Sequence, residues 1–171
     1  MDTRQQSMTR WVRQFSGFEH AEAEPVSGDA SFRRYFRVWR RQQNGEQTPF
    51  IIMDAPPEHE DCVPFLAIAR HWYSHGVAVP AIEAEDLEQG FLLLEDFGDQ
   101  LMLAGLTEDN ADALYREALN ELVAIQQLPS PPDYPLPPYD TALLDREMAL
   151  FPDWLLERHL GMALDNGDRC L

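Results

Sequence analysis

Apolar residues recur along the first half of the chain with a period that changes from helical to strand-like. Residues 3–15 place four apolar side chains at helical spacing. Residues 25–39 are rich in aromatic and β-branched types around a turn at Gly28-Asp29. A second turn at Asn44-Gly45 leads into a short apolar run at residues 49–53. The pattern predicts a helix followed by three consecutive strands.

A second helix and two further strands follow. Pro56-Pro57 ends the third strand, and residues 61–74 carry an apolar helical face with Pro64 in its first turn. Residues 77–86 and 90–95 are each typical of a strand. Three strands, a helix and two strands do not alternate as βαβ units. We therefore expect an α+β fold with a five-stranded antiparallel sheet and one helix against it.

The remaining pattern is helical. Residues 107–128 have a broad apolar face, with Thr107 as the predicted N-cap. Residues 129–138 contain six prolines and predict a stiff connector. Residues 141–164 are helical again, with an interruption near Pro152. We expect residues 1–97 to form a first lobe with a hinge, and residues 98–171 to begin a helical lobe.

Composition narrows the functional classes. The formal net charge is -17, the sequence contains no lysine and no basic run, and nucleic acid binding is therefore not expected. No run approaches 18 apolar residues and no signal-peptide pattern opens the chain, which predicts a soluble cytoplasmic protein without membrane contact. The histidines and the two distant cysteines show no ligand spacing, so no metal site is predicted.

Five segments together resemble one family. They are "SGDASFRRYFRV", "IIMDAPPEHED", "VAVPAI", "LLLEDFGD" and "EMALFPDWLLERHLG". They are similar to the aminoglycoside phosphotransferase superfamily, and within it to bacterial kinases of the anomeric hydroxyl of N-acetylmuramate and N-acetylglucosamine. The resemblance implies a protein-kinase-like small lobe, a hinge and the first helices of a large lobe. It also implies an ATP (or GTP) site, an amino-sugar substrate and Mg²⁺ in the complete enzyme.

The tripeptide Asp96-Phe97-Gly98 matches the metal-binding DFG of protein kinases. In that family the DFG follows an H-x-D-x-x-x-x-N catalytic loop, and this sequence contains no such loop. Here the tripeptide directly follows an apolar strand. The resemblance therefore implies that Glu95, Asp96 and Phe97 form the hinge and offer backbone groups to the nucleotide base, with Gly98 allowing the chain to turn. For the side chains, a solvated strand end is the alternative.

The turn between the first two strands lies where the family covers the nucleotide phosphates. Ser27, Gly28, Asp29, Ala30 and Ser31 form it, and small residues with accessible N–H groups suit that task. Asp29 suits it only if its side chain points away. A plain β-turn is the alternative interpretation.

Kinases of this fold place a lysine on the third strand to hold the phosphates, but Met53 and Asp54 stand near that position. An arginine can chelate phosphate oxygens instead, so Arg33 and Arg34 are candidates, with Arg34 preferred. Strand alternation puts Arg33 on the face of Arg37 and Arg34 on the other. The sequence leaves open which face lines the cleft. A solvated face paired with local carboxylates is the alternative.

No catalytic residue can be matched to a motif in the 171 residues. We therefore expect the nucleotide-binding half of a kinase, without turnover by itself and with an incomplete helical part whose apolar surface would allow self-association. Two other functions remain open. One is a non-catalytic module that binds a nucleotide or partner, and the other is a kinase for a different hydroxyl acceptor, such as an aminoglycoside or choline-like alcohol.

Overall fold

The central element of the fold is an antiparallel sheet. The computed structural model describes residues 3–28, 31–165 and 167. Its strands are β1 (Glu24–Gly28), β2 (Arg34–Arg41), β3 (Gln47–Asp54), β4 (Ile82–Asp86) and β5 (Phe91–Glu95). They lie in the order β1-β2-β3-β5-β4, and each neighbouring pair is antiparallel. The predicted α+β class and the five-stranded sheet are confirmed.

One face of the sheet packs against α1 (Thr3–Val12). Alternate residues of the strands point to this face. Its buried cluster joins Met8, Trp11, Val12, Phe18, Ala21, Phe36, Val38, Phe50, Ile52, Phe91 and Leu93. The helix ends three residues earlier than predicted, but Phe15 still packs against the cluster from the turn that follows. Burying this apolar stripe is what fixes α1 on the sheet.

The opposite face packs against α2 (Val63–Ser74), whose first turn contains Pro64 as predicted. Its buried cluster contains Met53, Ala55, Cys62, Leu66, Leu92 and Leu94. Gly90 precedes β5 with φ of +70°, and its carbonyl accepts a hydrogen bond of 2.8 Å from the Ala55 N–H. A side chain at Gly90 would place its Cβ 1.9 Å from the Ala55 carbonyl oxygen, so only glycine fits this crossing.

The later elements are helical. They are α3 (Met102–Gly105), α4 (Ala111–Gln127), α5 (Thr141–Leu150) and a π-helical segment (Phe151–His159). The predicted interruption near Pro152 appears as the change from α- to π-helix, since proline has no N–H to donate. The prediction that Thr107 caps α4 was wrong. The helix begins at Ala111, and the Asn110 side chain accepts a hydrogen bond of 2.8 Å from the Thr107 N–H.

Two compact units divide the chain. One comprises the described residues up to Tyr134, and the other comprises those from Pro135 onward. The division into lobes at residues 97 and 98 stays a prediction. Among the described residues, no helix is both long enough and apolar enough to traverse a lipid bilayer.

Candidate nucleotide-binding site

A largely apolar cavity of about 260 Å³ lies where β5 ends. We call residues 95–98, which border it, the hinge segment. The other lining residues are Val26, Tyr35, Arg37, Ile51, Pro80 and Leu94. Tyr35, Ile51 and Leu94 reach it from three neighbouring strands, because β2 pairs with β3 and β3 with β5. The cavity is therefore an apolar slot on one face of the sheet, with the hinge segment along one side.

The cavity lies on the face of the sheet that packs against α2. Arg37 lines it, whereas Arg34 lies on the α1 face, with its guanidinium carbon 5.7 Å from the Phe36 ring centroid. Arg33 lies on the α2 side, where its Nε donates to the Glu60 carboxylate at 3.0 Å. The alternation predicted from sequence thus holds, with Arg33 and Arg37 on the cavity face and Arg34 on the other.

Arg37 connects β2 to the hinge segment and its neighbour. Its Nε and Nη2 donate to the two carboxylate oxygens of Asp96, the latter over 3.2 Å. Its Nη1 and Nη2 donate to the two oxygens of Asp99, each over 2.8 Å. These bonds hold the pKa of both carboxyl groups below their ordinary value, while the two carboxylates raise the pKa of the Arg37 guanidinium. We call these three residues the Arg37 cluster.

The side chain of Asp96, the aspartate of the DFG tripeptide, is therefore bonded within the hinge region. Only 3% of its side chain is exposed, and besides Arg37 it accepts a 2.7 Å hydrogen bond from the Gly98 N–H. Gly98 has φ of +78°, which is the left-handed conformation predicted for the turn. The alternative that Asp96 is a solvated strand end does not fit this burial. Within the described part of the chain, no three His, Cys, Asp or Glu side chains come close enough to hold a metal ion.

The sequence contains one H-x-D spacing, at His59 and Asp61, but Leu66 stands where a catalytic loop would need asparagine. These residues precede α2. The His59 ring stacks on Phe32 with centroids 4.3 Å apart, and the Asp61 carboxylate accepts a 2.9 Å hydrogen bond from the Val63 N–H. Both side chains therefore have local partners.

The predicted phosphate loop, residues 27–31, is described in part. Ser27 and Gly28 belong to β1 and pair with Tyr35 and Arg34, while Asp29 and Ala30 lie outside the described residues. The Ser31 hydroxyl accepts a hydrogen bond of 3.1 Å from the Arg33 N–H.

Glu60 ties the chain after this loop to the segment before α2. Its carboxylate accepts from the Phe32 N–H at 3.1 Å as well as from the Arg33 side chain. Glu60 is therefore the acidic partner of Arg33.

Neither residue near the expected lysine position reaches the cavity. Met53 is fully buried in the α2-face cluster. Asp54 is fully buried on the α1 face, where Arg4 Nε and Arg34 Nη2 each donate to it at 2.6 Å. We call Arg4, Asp54 and Arg34 the Asp54 cluster. Sequence reasoning missed Arg4, although its place in the first turn of an amphipathic helix put it beside the sheet.

Comparisons with known proteins agree with this architecture. Residues 22–168 match the phosphotransferase enzyme family, and the chain belongs to this family. It is 49% identical over 144 residues to the N-acetylmuramate/N-acetylglucosamine kinase of Pseudomonas putida, covering 84% of this chain and 40% of that protein. The kinase of the same name from Pseudomonas aeruginosa is 51% identical over 145 residues, covering 85% and 41%. That from Neisseria meningitidis is 30% identical over 165 residues, covering 94% and 47%.

The match covers only part of each of these relatives. The chain spans about two fifths of the length of the two Pseudomonas relatives. The family assignment made from the five sequence segments is confirmed.

Proposed function

We propose that this chain supplies the nucleotide-binding part of an ATP-dependent kinase that phosphorylates the anomeric hydroxyl of N-acetylmuramate or N-acetylglucosamine, as part of peptidoglycan recycling. The observation that carries the nucleotide part is the apolar slot beside the hinge segment. A flat purine ring buries well in such a slot, and nearby backbone groups can bond its polar edge. The proposed acceptor rests on the names of the relatives.

The residues would divide the nucleotide between them. The base of ATP or GTP would lie against the neighbouring Ile51 and Leu94 side chains, with the backbone of Glu95, Asp96 and Phe97 along its edge. The phosphates would lie under residues 27–31. Arg33 is better placed than Arg34 to contact them, because Glu60 holds its guanidinium on the cavity side of the sheet whereas Arg34 is bonded to Asp54 on the other face.

The described residues do not fit the magnesium ion that phosphoryl transfer uses. Asp96, the residue that a tripeptide search would assign to the metal, is bonded to Arg37 and to the Gly98 N–H. We therefore assign no metal ligand and no catalytic residue here. Binding and orienting the nucleotide is the contribution proposed for this chain, and since ATP is the phosphoryl donor, the reaction would take place in the cytoplasm.

Blocking the slot tests nucleotide binding. Val26 lines the cavity and is 41% exposed, so Val26→Trp should fill the slot without disturbing the core. Val63→Trp is the matched control, because Val63 is 51% exposed and does not line this cavity. In calorimetric titrations with ATP and GTP, Val26→Trp should weaken binding at least about tenfold, or roughly 1.4 kcal/mol. Equal affinity in both variants would refute the assigned slot.

A chimaera tests the kinase reaction. This chain would replace the aligned residues of the Pseudomonas putida kinase, and ATP consumption would be measured with N-acetylmuramate, N-acetylglucosamine, an aminoglycoside and choline. Phosphorylation of the anomeric hydroxyl also removes the reducing end of the sugar, which a reducing-sugar assay detects. Sugar-dependent turnover that Val26→Trp abolishes supports the proposal. A folded chimaera that turns over no acceptor would favour the non-catalytic alternative.

A further inference from the structure

Arg37 forms an unusually complete set of contacts. One guanidinium makes four hydrogen bonds to two carboxylates, which lie 59 and 62 residues further along the chain. These bonds run from β2 to the segment that follows β5. They are therefore tertiary contacts that fix the direction in which the chain leaves the sheet.

Burial distinguishes this arrangement from an ordinary surface ion pair. The exposed fractions of the Arg37 and Asp96 side chains are 18% and 3%, whereas that of Asp99 is 73%. The Asp96 carboxylate accepts hydrogen bonds from both the Arg37 guanidinium and the Gly98 N–H. It therefore fixes the backbone of the hinge segment at Gly98 directly. A planar guanidinium can bond both carboxylates in this forked manner, but an ammonium cannot.

The position of Arg37 connects this geometry to binding. Arg37 lines the same cavity as the hinge segment. We infer that Arg37 is a positioning residue for the nucleotide base: by bonding Asp96 and Asp99 it holds the backbone of residues 95–97 at the edge of the slot. This inference rests on the proposed function and adds a residue that determines base recognition rather than phosphate binding.

The inference predicts a selective loss of base binding. Arg37→Ala, Arg37→Lys and Asp99→Asn would be compared with Arg41→Ala, which removes an exposed arginine from the same strand. Each variant of this chain would be titrated by NMR with adenosine, ATP and inorganic tripolyphosphate. Circular dichroism would establish which variants fold.

Adenosine affinity should fall about tenfold in Arg37→Ala and Arg37→Lys and about threefold in Asp99→Asn. Tripolyphosphate affinity should stay within about twofold, because two carboxylates already neutralise Arg37. Arg41→Ala should bind all three probes like the unchanged chain. A change in general stability would weaken adenosine and tripolyphosphate binding alike, so the contrast between the probes isolates positioning.

The opposite results are equally distinct. If every variant that folds, the mild Asp99→Asn included, keeps its adenosine affinity while the unchanged chain binds adenosine, Arg37 does not position the base and nucleotide binding stands. A parallel loss for tripolyphosphate overturns the inference as well. If the unchanged chain binds neither adenosine nor ATP, both this inference and the proposed function fail.

Discussion

The two arginine–aspartate clusters on β2 differ in where they lie and in what they hold. Arg34 and Arg37 are three residues apart on one strand, so their side chains leave opposite faces of the sheet. The Asp54 cluster joins α1 to the sheet around a fully buried carboxylate. The Arg37 cluster joins the sheet to the hinge segment beside an open cavity. The same chemistry therefore holds a helix on one face of the sheet and the hinge segment on the other.

The largest expected effect on the free energy of unfolding comes from the Asp54 cluster. The double change Arg4→Ala and Arg34→Ala leaves the Asp54 carboxylate buried without these two partners, and should lower the free energy of unfolding by about 3–5 kcal/mol. Urea denaturation measures it. Arg10→Ala with Arg41→Ala is the control, since it removes two exposed arginines from the same helix and strand. A double change no more destabilising than its control would show that the two arginines do not stabilise the Asp54 carboxylate.

A smaller effect is expected from Gly98→Ala. Because Gly98 has φ of +78°, an alanine there would be strained in the left-handed region by roughly 1–2 kcal/mol. Thermal unfolding and ATP titration would both register the change, since this residue also bonds Asp96. Gly105→Ala is the control, as Gly105 lies in α3 and an added Cβ would meet no heavy atom within 4 Å. Unchanged stability and binding in Gly98→Ala would mean that the turn is not required.

The next prediction concerns how the stability contributed by the Arg37 cluster depends on pH. Arg37 lowers the pKa of Asp96 and Asp99 in the folded chain, so both contribute stability that is present above their unfolded pKa, about 4. That contribution is lost as the pH falls through the lower folded values, because the unfolded chain then binds more protons. The difference in unfolding free energy between the unchanged chain and Arg37→Ala should be constant from about pH 5 to pH 7 and shrink below about pH 4. A difference independent of pH would contradict the pairing.

The smallest effect should come from Arg33 and Glu60. Their ion pair is partly exposed, so a double-mutant cycle with Arg33→Ala and Glu60→Gln should give a coupling of roughly 0.5 kcal/mol. ATP affinity should nevertheless fall in Arg33→Ala while Arg41→Ala is unaffected, if Arg33 faces the phosphates. Arg34→Ala would then lose stability but not affinity. If Arg34→Ala lowered the ATP affinity more than Arg33→Ala, Arg34 would be the residue that contacts the phosphates.

The strands could be predicted because their signals are local. Each strand is an apolar run that lies between turn residues. The order of the predicted strands along the chain matches β1 to β5. The short helix α3 was missed, since four residues carry too little periodicity. The cap of α4 was misplaced because Asn110 and Thr107 are both good turn formers, and their mutual bond is a detail of geometry.

The candidate site was less accessible to sequence reasoning. Alternation correctly separated Arg33 from Arg34, but which face lines a cavity depends on how α1 and α2 pack, and those contacts are long-range. The partnership of Arg37 with Asp96 and Asp99 spans about 60 residues and left no local signal. Whether the residues named for nucleotide contact make it stays a prediction, and Asp29 and Ala30 lie outside the described residues.

The docking of α1 also has a consequence for the order of folding during synthesis. Arg4 bonds Asp54 and the Gln89 carbonyl, 50 and 85 residues away, and Trp11 packs on the Phe91 ring. β5, although made last of the five strands, lies inside the sheet between β3 and β4. α1 therefore has no complete surface to bind until β5 has emerged from the ribosome. During that interval its apolar side is available to chaperones, and the core closes in one late step.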